Sequence, residues 1–125
     1  MTPEDLRKIE AVKAFYISEL SHAALDIVWH VPGHNPVSGA YRGHAEYFEV
    51  MPARMVPLKS WVVQRKDVMV NGDRVVATFH LTAERKGGQI ELDGAHVFRL
   101  NEVDQVAEGW GFTNQQELLD EFFAA

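Results

Sequence analysis

Two segments, Arg74 to Arg85 and Gln89 to Asn101, alternate apolar and polar residues with a period of two. In the first, Val75, Ala77, Phe79, Leu81 and Ala83 fall on one face and Thr78, His80, Thr82 and Glu84 on the other. In the second, Ile90, Leu92, Gly94, His96, Phe98 and Leu100 share a face. Such alternation is the signature of a half-buried strand, and it excludes a helix for either segment. Lys86-Gly87-Gly88 turns the chain between them. Asn71-Gly72, followed by Asp73, predicts a hairpin before them, with both central residues at positive φ. Adding β-rich Trp61 to Val70 upstream and Gln105 to Phe112 downstream gives a four-stranded antiparallel meander. On the last strand Val106, Glu108, Trp110 and Phe112 share a face, so Glu108 is a polar group in apolar company.

The first half reads differently. Thr2-Pro3-Glu4-Asp5 is a helix start, with a hydroxyl at the N-cap, proline at N1 and acids facing the positive end of the dipole. Leu6, Ile9, Val12, Tyr16 and Leu20 recur at three- and four-residue steps, which predicts a helix to about Leu20 with Tyr16 on its buried stripe. Ser21 to Leu25 predicts a short second helix, and Ile27, Val28, Trp29 and Val31 a strand ended by Pro32-Gly33. The turn formers between Pro32 and Gly43 predict a loop. A helix follows from Gly43, with Tyr47, Phe48 and Met51 or Met55 facing inward and Pro52 and Pro57 marking its limit. Thr113-Asn114 predicts the cap of a last helix through Phe123. The whole is an α+β fold in which a curved antiparallel sheet wraps a long N-terminal helix and closes a cone with an internal pocket.

Composition excludes several functions. A chain of 125 residues is long enough for one domain and too short for two, so residues 1–125 are read as a single unit. A formal charge of -6 without a basic run argues against nucleic acid as a partner. The absence of cysteine rules out a disulfide framework and a thiolate site. No apolar run spans a membrane and the N-terminus is charged, so a soluble cytoplasmic protein is expected. His30, His34 and His44 are separated by proline and glycines, and no carboxylate stands at clear ligand spacing, so no metal is expected.

The order of elements, together with WHVPG, NPVSGAYRG, HVFRL and EGWGF, resembles the nuclear transport factor 2-like superfamily and, within it, the SnoaL-like polyketide cyclases and ketosteroid isomerase relatives. The resemblance covers about Val12 to Phe123. It implies a cone-shaped pocket for a small apolar molecule of polycyclic or polyketide-like shape, proton transfer next to a carbonyl without cofactor, and a homodimer. It also implies site residues. Tyr16 matches the isomerase tyrosine that hydrogen-bonds the substrate oxygen. His30 takes the place of the general-base aspartate, and His96 that of the protonated aspartate of the oxyanion hole. Asn114 stands where cyclases carry an acid. On this reading His30 is the expected base, Tyr16 and His96 are the donors, and Trp29, Trp61, Phe98, Glu108 and Trp110 line the pocket. Burial is expected to keep His96 neutral. A plain alternative for Glu108 is an ion pair with a neighbouring arginine. The other class of function compatible with these residues is a catalytically silent module that binds a small ligand or a partner.

Overall fold

The computed structural model describes residues 1–124. The capping box at the N-terminus forms: Thr2 Oγ1 accepts from the Asp5 N–H at 3.0 Å, and helix α1 runs Pro3–Ile17. It is shorter than its periodicity suggests. Ser18 leaves helical geometry, and a second short helix, α2, occupies Glu19–His22. Leu6 and Leu20, expected on the buried stripe, lie 51% and 66% exposed. Ile9, Val12 and Phe15 form the core face instead, with Tyr16 partly buried beside them. Ala23 and Ala24, expected to be helical, already belong to strand β1 (Ala23–Val31).

The expected loop holds a strand. β2 (Gly39–Arg42) pairs antiparallel with β1, Tyr41 opposite Trp29, and the buried Tyr41 ring shows why a stretch rich in turn residues orders here. The Tyr41 hydroxyl donates to the Val37 carbonyl at 2.5 Å, which ties the loop to the strand. Beyond it a continuous helical run comprises α3 (Gly43–Ala45), a π-helical segment (Glu46–Val50) and α4 (Met51–Arg54). Pro52 therefore lies inside the run rather than at its limit. The wide π turn comes directly before it, where an α-helical bond to the missing proline N–H could not form.

β3 (Leu58–Asn71), β4 (Arg74–Arg85), β5 (Gly88–Leu100) and β6 (Val106–Phe112) make the expected meander, and α5 (Gln116–Ala124) follows. The six strands form one curved, unclosed sheet in the order β2-β1-β6-β5-β4-β3. All pairings are antiparallel except β1 with β6, which is parallel, so the sheet is mixed at that seam. The first hairpin is displaced by one residue from expectation. Asn71 pairs with Arg74, the two-residue loop is Gly72-Asp73, and only Gly72 takes a positive φ, 65°. Glycine leading the loop is the alternative hairpin solution, which asks for a positive φ at the first central residue alone.

Both alternating segments keep their predicted faces. Val75, Ala77, Phe79, Leu81 and Ala83 are buried, as are Ile90, Leu92, Phe98 and Leu100. These residues face α1 and the helical segments, so the sheet has an inner face lining a cone and an outer face toward solvent. No helix among the described residues is long and apolar enough to cross a membrane.

Candidate active site in the cone

The inner face encloses a cavity of about 420 Å³. Its walls are largely apolar: Phe15 from α1, Trp29 and Val31 from β1, Trp61 and Val63 from β3, Phe79 and Leu81 from β4, and Leu119 and Phe123 from α5. Trp29 has its place because Gly109 lies opposite it across the parallel seam, and a Cβ at 109 would overlap the indole ring. Trp61 reaches the wall from the edge strand and stacks on Phe123, with ring centroids 5.5 Å apart.

Polar groups in this wall are few. Tyr16 Oη and His96 Nδ1 lie 2.6 Å apart, joining α1 to β5 across 80 residues. Aromatic rings surround the pair: Phe79 stacks on the His96 imidazole at 4.4 Å, and Trp29 meets it edge-on at 5.3 Å. Desolvation holds the His96 pKa down at about 4, so the ring is neutral at pH 7. Burial pushes the Tyr16 hydroxyl above the usual phenol range; the Arg65 guanidinium pulls it down and Glu19 adds to the rise. Both members of the pair thus resist charging. No partner holds His96 Nε2 among the described residues, yet no side-chain nitrogen or oxygen of a non-exposed residue is buried without one. Nε2 is therefore not fully buried, on a ring that lines the cavity.

A second polar pair lies nearer the rim. Tyr47, buried in the π-helical segment, donates its hydroxyl to Glu19 Oε2 at 2.9 Å. Glu19 borders the cavity while remaining exposed. Desolvation raises its carboxyl pKa, and the Tyr47 hydrogen bond works against that rise. Sequence reasoning passed over Glu19. It opens α2 just past the break at Ser18, which no periodic pattern in the sequence announces.

The expected site divides across the sheet. Tyr16 and His96 come together as expected, and Trp29 and Trp61 line the cavity. His30 does not join them. It borders the cavity where β1 passes, but strand alternation sends its side chain to the face opposite Trp29. There Nε2 lies 2.7 Å from Glu108 Oε2, and the ring stacks on Trp110 with centroids 5.4 Å apart and planes 6° from parallel. Glu108 also accepts from Arg99 Nε at 3.4 Å, and the His30 and Arg99 bonds hold its carboxyl below the usual carboxylate range. Arg74 lies over the Trp110 ring. Glu108 and Trp110 are therefore outer-face residues and not pocket lining, and the arginine pairing is the one realised. Phe98 is fully buried in the core against Phe15 and Trp29, outside the cavity wall. Phe79 lines the inside of the cone.

Among the described residues no group of three or more His, Cys, Asp or Glu is gathered to hold a metal. His44 Nε2 lies 3.1 Å from the Ala23 carbonyl, so it serves as a strut between α3 and β1.

Solved structures share this architecture at low sequence identity. A protein of unknown function with a cystatin-like fold from Xanthomonas campestris superposes with a TM-score of 0.86 at 22% identity, covering 94% of this chain and 98% of the other. A protein assigned as a SnoaL-like polyketide cyclase from Jannaschia sp. gives 0.75 at 17% identity, covering 100% and 97%. TerC, co-crystallised with polyporic acid, gives 0.81 at 21% identity, covering 94% and 98%. No curated protein matches the sequence. The SnoaL-like domain model matches residues 5–109, which is most of the chain and contains Tyr16 and His96. The chain belongs to the SnoaL-like domain family.

Proposed function

We propose that the cone binds a small apolar molecule carrying a carbonyl or enolic oxygen, and that the Tyr16–His96 pair hydrogen-bonds this oxygen while a proton moves at the adjacent carbon. The reaction class is isomerisation or aldol-type cyclisation, run by the chain's own side chains without a cofactor. One observation carries the reading: a 2.6 Å Tyr16–His96 contact set into a largely apolar cavity of about 420 Å³. Pockets of this kind bury most of a small ligand and orient it with a few polar groups. Donors held in a water-poor site act where an enolate oxygen gathers charge, and a single such donor contributes about 10²–10³ in kcat. The Jannaschia protein's assignment as a polyketide cyclase and the co-crystallisation of TerC with polyporic acid support the substrate class.

The test is a panel of apolar cyclic ketones and quinone enols, followed for saturable quenching of tryptophan fluorescence and for turnover. Binding and turnover that both fall in Tyr16→Phe and in His96→Leu agree with the reading. Binding with no turnover in the wild type leaves a ligand carrier, the second class of function for this cone. Absence of binding across the panel would remove both.

The proposal extends to a homodimer through the outer sheet face. That face carries Arg74 and Arg99 in register at one end, each offset by a carboxylate, Asp73 and Glu108, and His80 with Asp93 and Glu91 at the other. A second copy related by a two-fold axis lays these charged clusters against their own copies. Sedimentation at two salt concentrations tests it: a dimer that weakens with salt agrees, and a monomer at both contradicts it.

A further inference from the structure

The cone wall holds a polar element to which the proposed reading gives no task, the Glu19–Tyr47 pair at the rim. We infer that Glu19 is a cation subsite: the ligand carries, apart from its carbonyl, a protonated amine that the Glu19 carboxylate holds while the rest of the molecule lies against the aromatic wall. This rests on the proposed ligand site in the cone and not on the reaction assigned to it. It narrows the substrate class to molecules with a basic nitrogen at one end.

The first observation is a carboxylate that lacks a counter-ion. Among the described residues Glu19 is the one Asp or Glu in the cavity wall. Its Oε2 accepts from the Tyr47 hydroxyl at 2.9 Å, and Oε1 has no hydrogen-bond partner there. No Lys, Arg or His nitrogen of the described residues stands within ion-pair distance of it. Arg65, whose field reaches the neighbouring Tyr16 hydroxyl, forms no ion pair with Glu19. Glu108 on the outer face is the contrast, since His30 and Arg99 both hold it. An acid that loses hydration against an apolar wall gains from a cation. Desolvation already raises the Glu19 pKa, and here the compensating cation arrives with the ligand.

The second observation is what surrounds that carboxylate. Tyr47, which orients Glu19, has its ring centroid 5.6 Å from that of Trp29 and 6.4 Å from that of Phe15, and all three rings line the cavity. Met51 and Met55 add polarisable thioethers to the same wall. Aromatic faces attract an ammonium group through their quadrupoles, so a cation beside Glu19 gains from both the carboxylate and the rings. Glu19 also remains exposed on its outer side. An ammonium held there keeps part of its hydration, which limits the desolvation cost that burdens buried ion pairs. The net charge of -6 favours the approach of cations in general, so the test has to separate Glu19 from the rest of the surface. It also has to separate charge from plain hydrogen bonding, because a neutral hydroxyl can donate to the same carboxylate.

Benzylamine, protonated at neutral pH, and benzyl alcohol are probes of nearly equal shape that differ in charge. Titration calorimetry at pH 7 and low salt gives both affinities. The expected result is that the wild type binds benzylammonium about 10-fold or more tightly than benzyl alcohol. In Glu19→Gln that preference is expected to fall to about 3-fold or less, with the affinity for benzyl alcohol unchanged. Tyr47→Phe, which keeps the charge and frees the carboxylate to turn, is expected to lose part of the preference. Glutamine retains an acceptor for Tyr47 at an exposed position, so the fold is expected to hold. Equal affinities of the wild type for the two probes would overturn the inference without any variant. A preference that survives in Glu19→Gln would overturn it too, by assigning the attraction to the general surface charge. So would an absence of benzylammonium binding at millimolar concentration. A cone that binds the ketone panel and ignores charge loses only this subsite, whereas the panel judges the wider reading separately.

Discussion

Three histidines sit on one sheet and meet opposite environments. His96 points inward, where a tyrosine is its hydrogen-bond partner and aromatic rings are its neighbours. His30 and His80 point outward, each beside carboxylates: His30 with Glu108, His80 with Asp93 at 2.9 Å and Glu91 at 3.1 Å. The physical results diverge. Desolvation lowers the pKa of His96 to about 4, whereas hydrogen bonds donated to Asp93 and then Glu91 raise that of His80. A histidine can serve as a neutral donor or as a cation on one fold, and the side of the pleat it occupies decides which.

Four perturbations bear on this contrast, taken from the largest effect down. The inner wall is the least forgiving place to add volume. Gly109→Ala puts a methyl group into the Trp29 ring, and overpacking of this kind costs about 1–3 kcal/mol, here at the upper end because the neighbour is a rigid indole. Thermal unfolding should show a clear drop in Tm together with lost ligand quenching. An unchanged Tm would mean that Trp29 is free to swing away.

The second perturbation is acid. Between the unfolded histidine value near 6.5 and the folded value near 4, the unfolded chain binds a proton at His96 that the folded chain refuses. Stability through this group therefore rises with pH across that window, by on the order of 3 kcal/mol in all. Glu19, whose carboxyl is raised, acts in the opposite sense: it favours the fold when protonated and loses that contribution as pH rises through its folded value. Urea unfolding from pH 4 to pH 7 should separate the two, since His96→Leu flattens the acid slope and Glu19→Gln steepens it. Identical slopes in wild type and His96→Leu would show that His96 is not desolvated.

Third, a double-mutant cycle on the inner pair, Tyr16→Phe with His96→Leu, should return a coupling energy of about 0.5–3 kcal/mol, as for contacting buried groups. The same cycle on His30 and Glu108 should give about 1 kcal/mol or less, because that pair is open to water. Equal values would erase the distinction between the two faces. Smallest of all is His80→Ala. Its raised pKa means that any contribution is present below about 6.5 and lost as pH rises past the folded value, so the variant should differ from wild type at pH 5 and match it at pH 9. A difference that persists at pH 9 would assign His80 a packing role instead.

Much of this arrangement could be read from residue order. Strict alternation in β4 and β5 set the inner face in advance, His96 included, because a period of two leaves no freedom about which side a residue takes. Tyr16 was legible for a similar reason, since helical spacing placed it near the core. His30 was not. The choice between faces on β1 turns on Trp29, whose burial depends on Gly109 across a parallel seam that local sequence does not announce. Glu108 and Trp110 were misplaced for the same reason: β6 has glycine at 109 and 111, which leaves room on its inner face for Trp29, while Glu108 and Trp110 between them point outward. β2 was hidden by proline and glycine, although Tyr41 needed a buried partner. Glu19 escaped notice because the helix break at Ser18 lies outside any periodic pattern.

The most direct measurement is the 15N NMR of the His96 ring nitrogens between pH 4 and pH 8, with and without saturating 3-cyclohexen-1-one. A neutral imidazole that stays unprotonated down to about pH 5, with an Nε2 resonance that shifts when the enone binds, is the predicted result. A ring that titrates near the ordinary histidine value of about 6.5, or an Nε2 resonance indifferent to the bound ketone, would contradict the assignment of Tyr16 and His96 as the working centre of the cone.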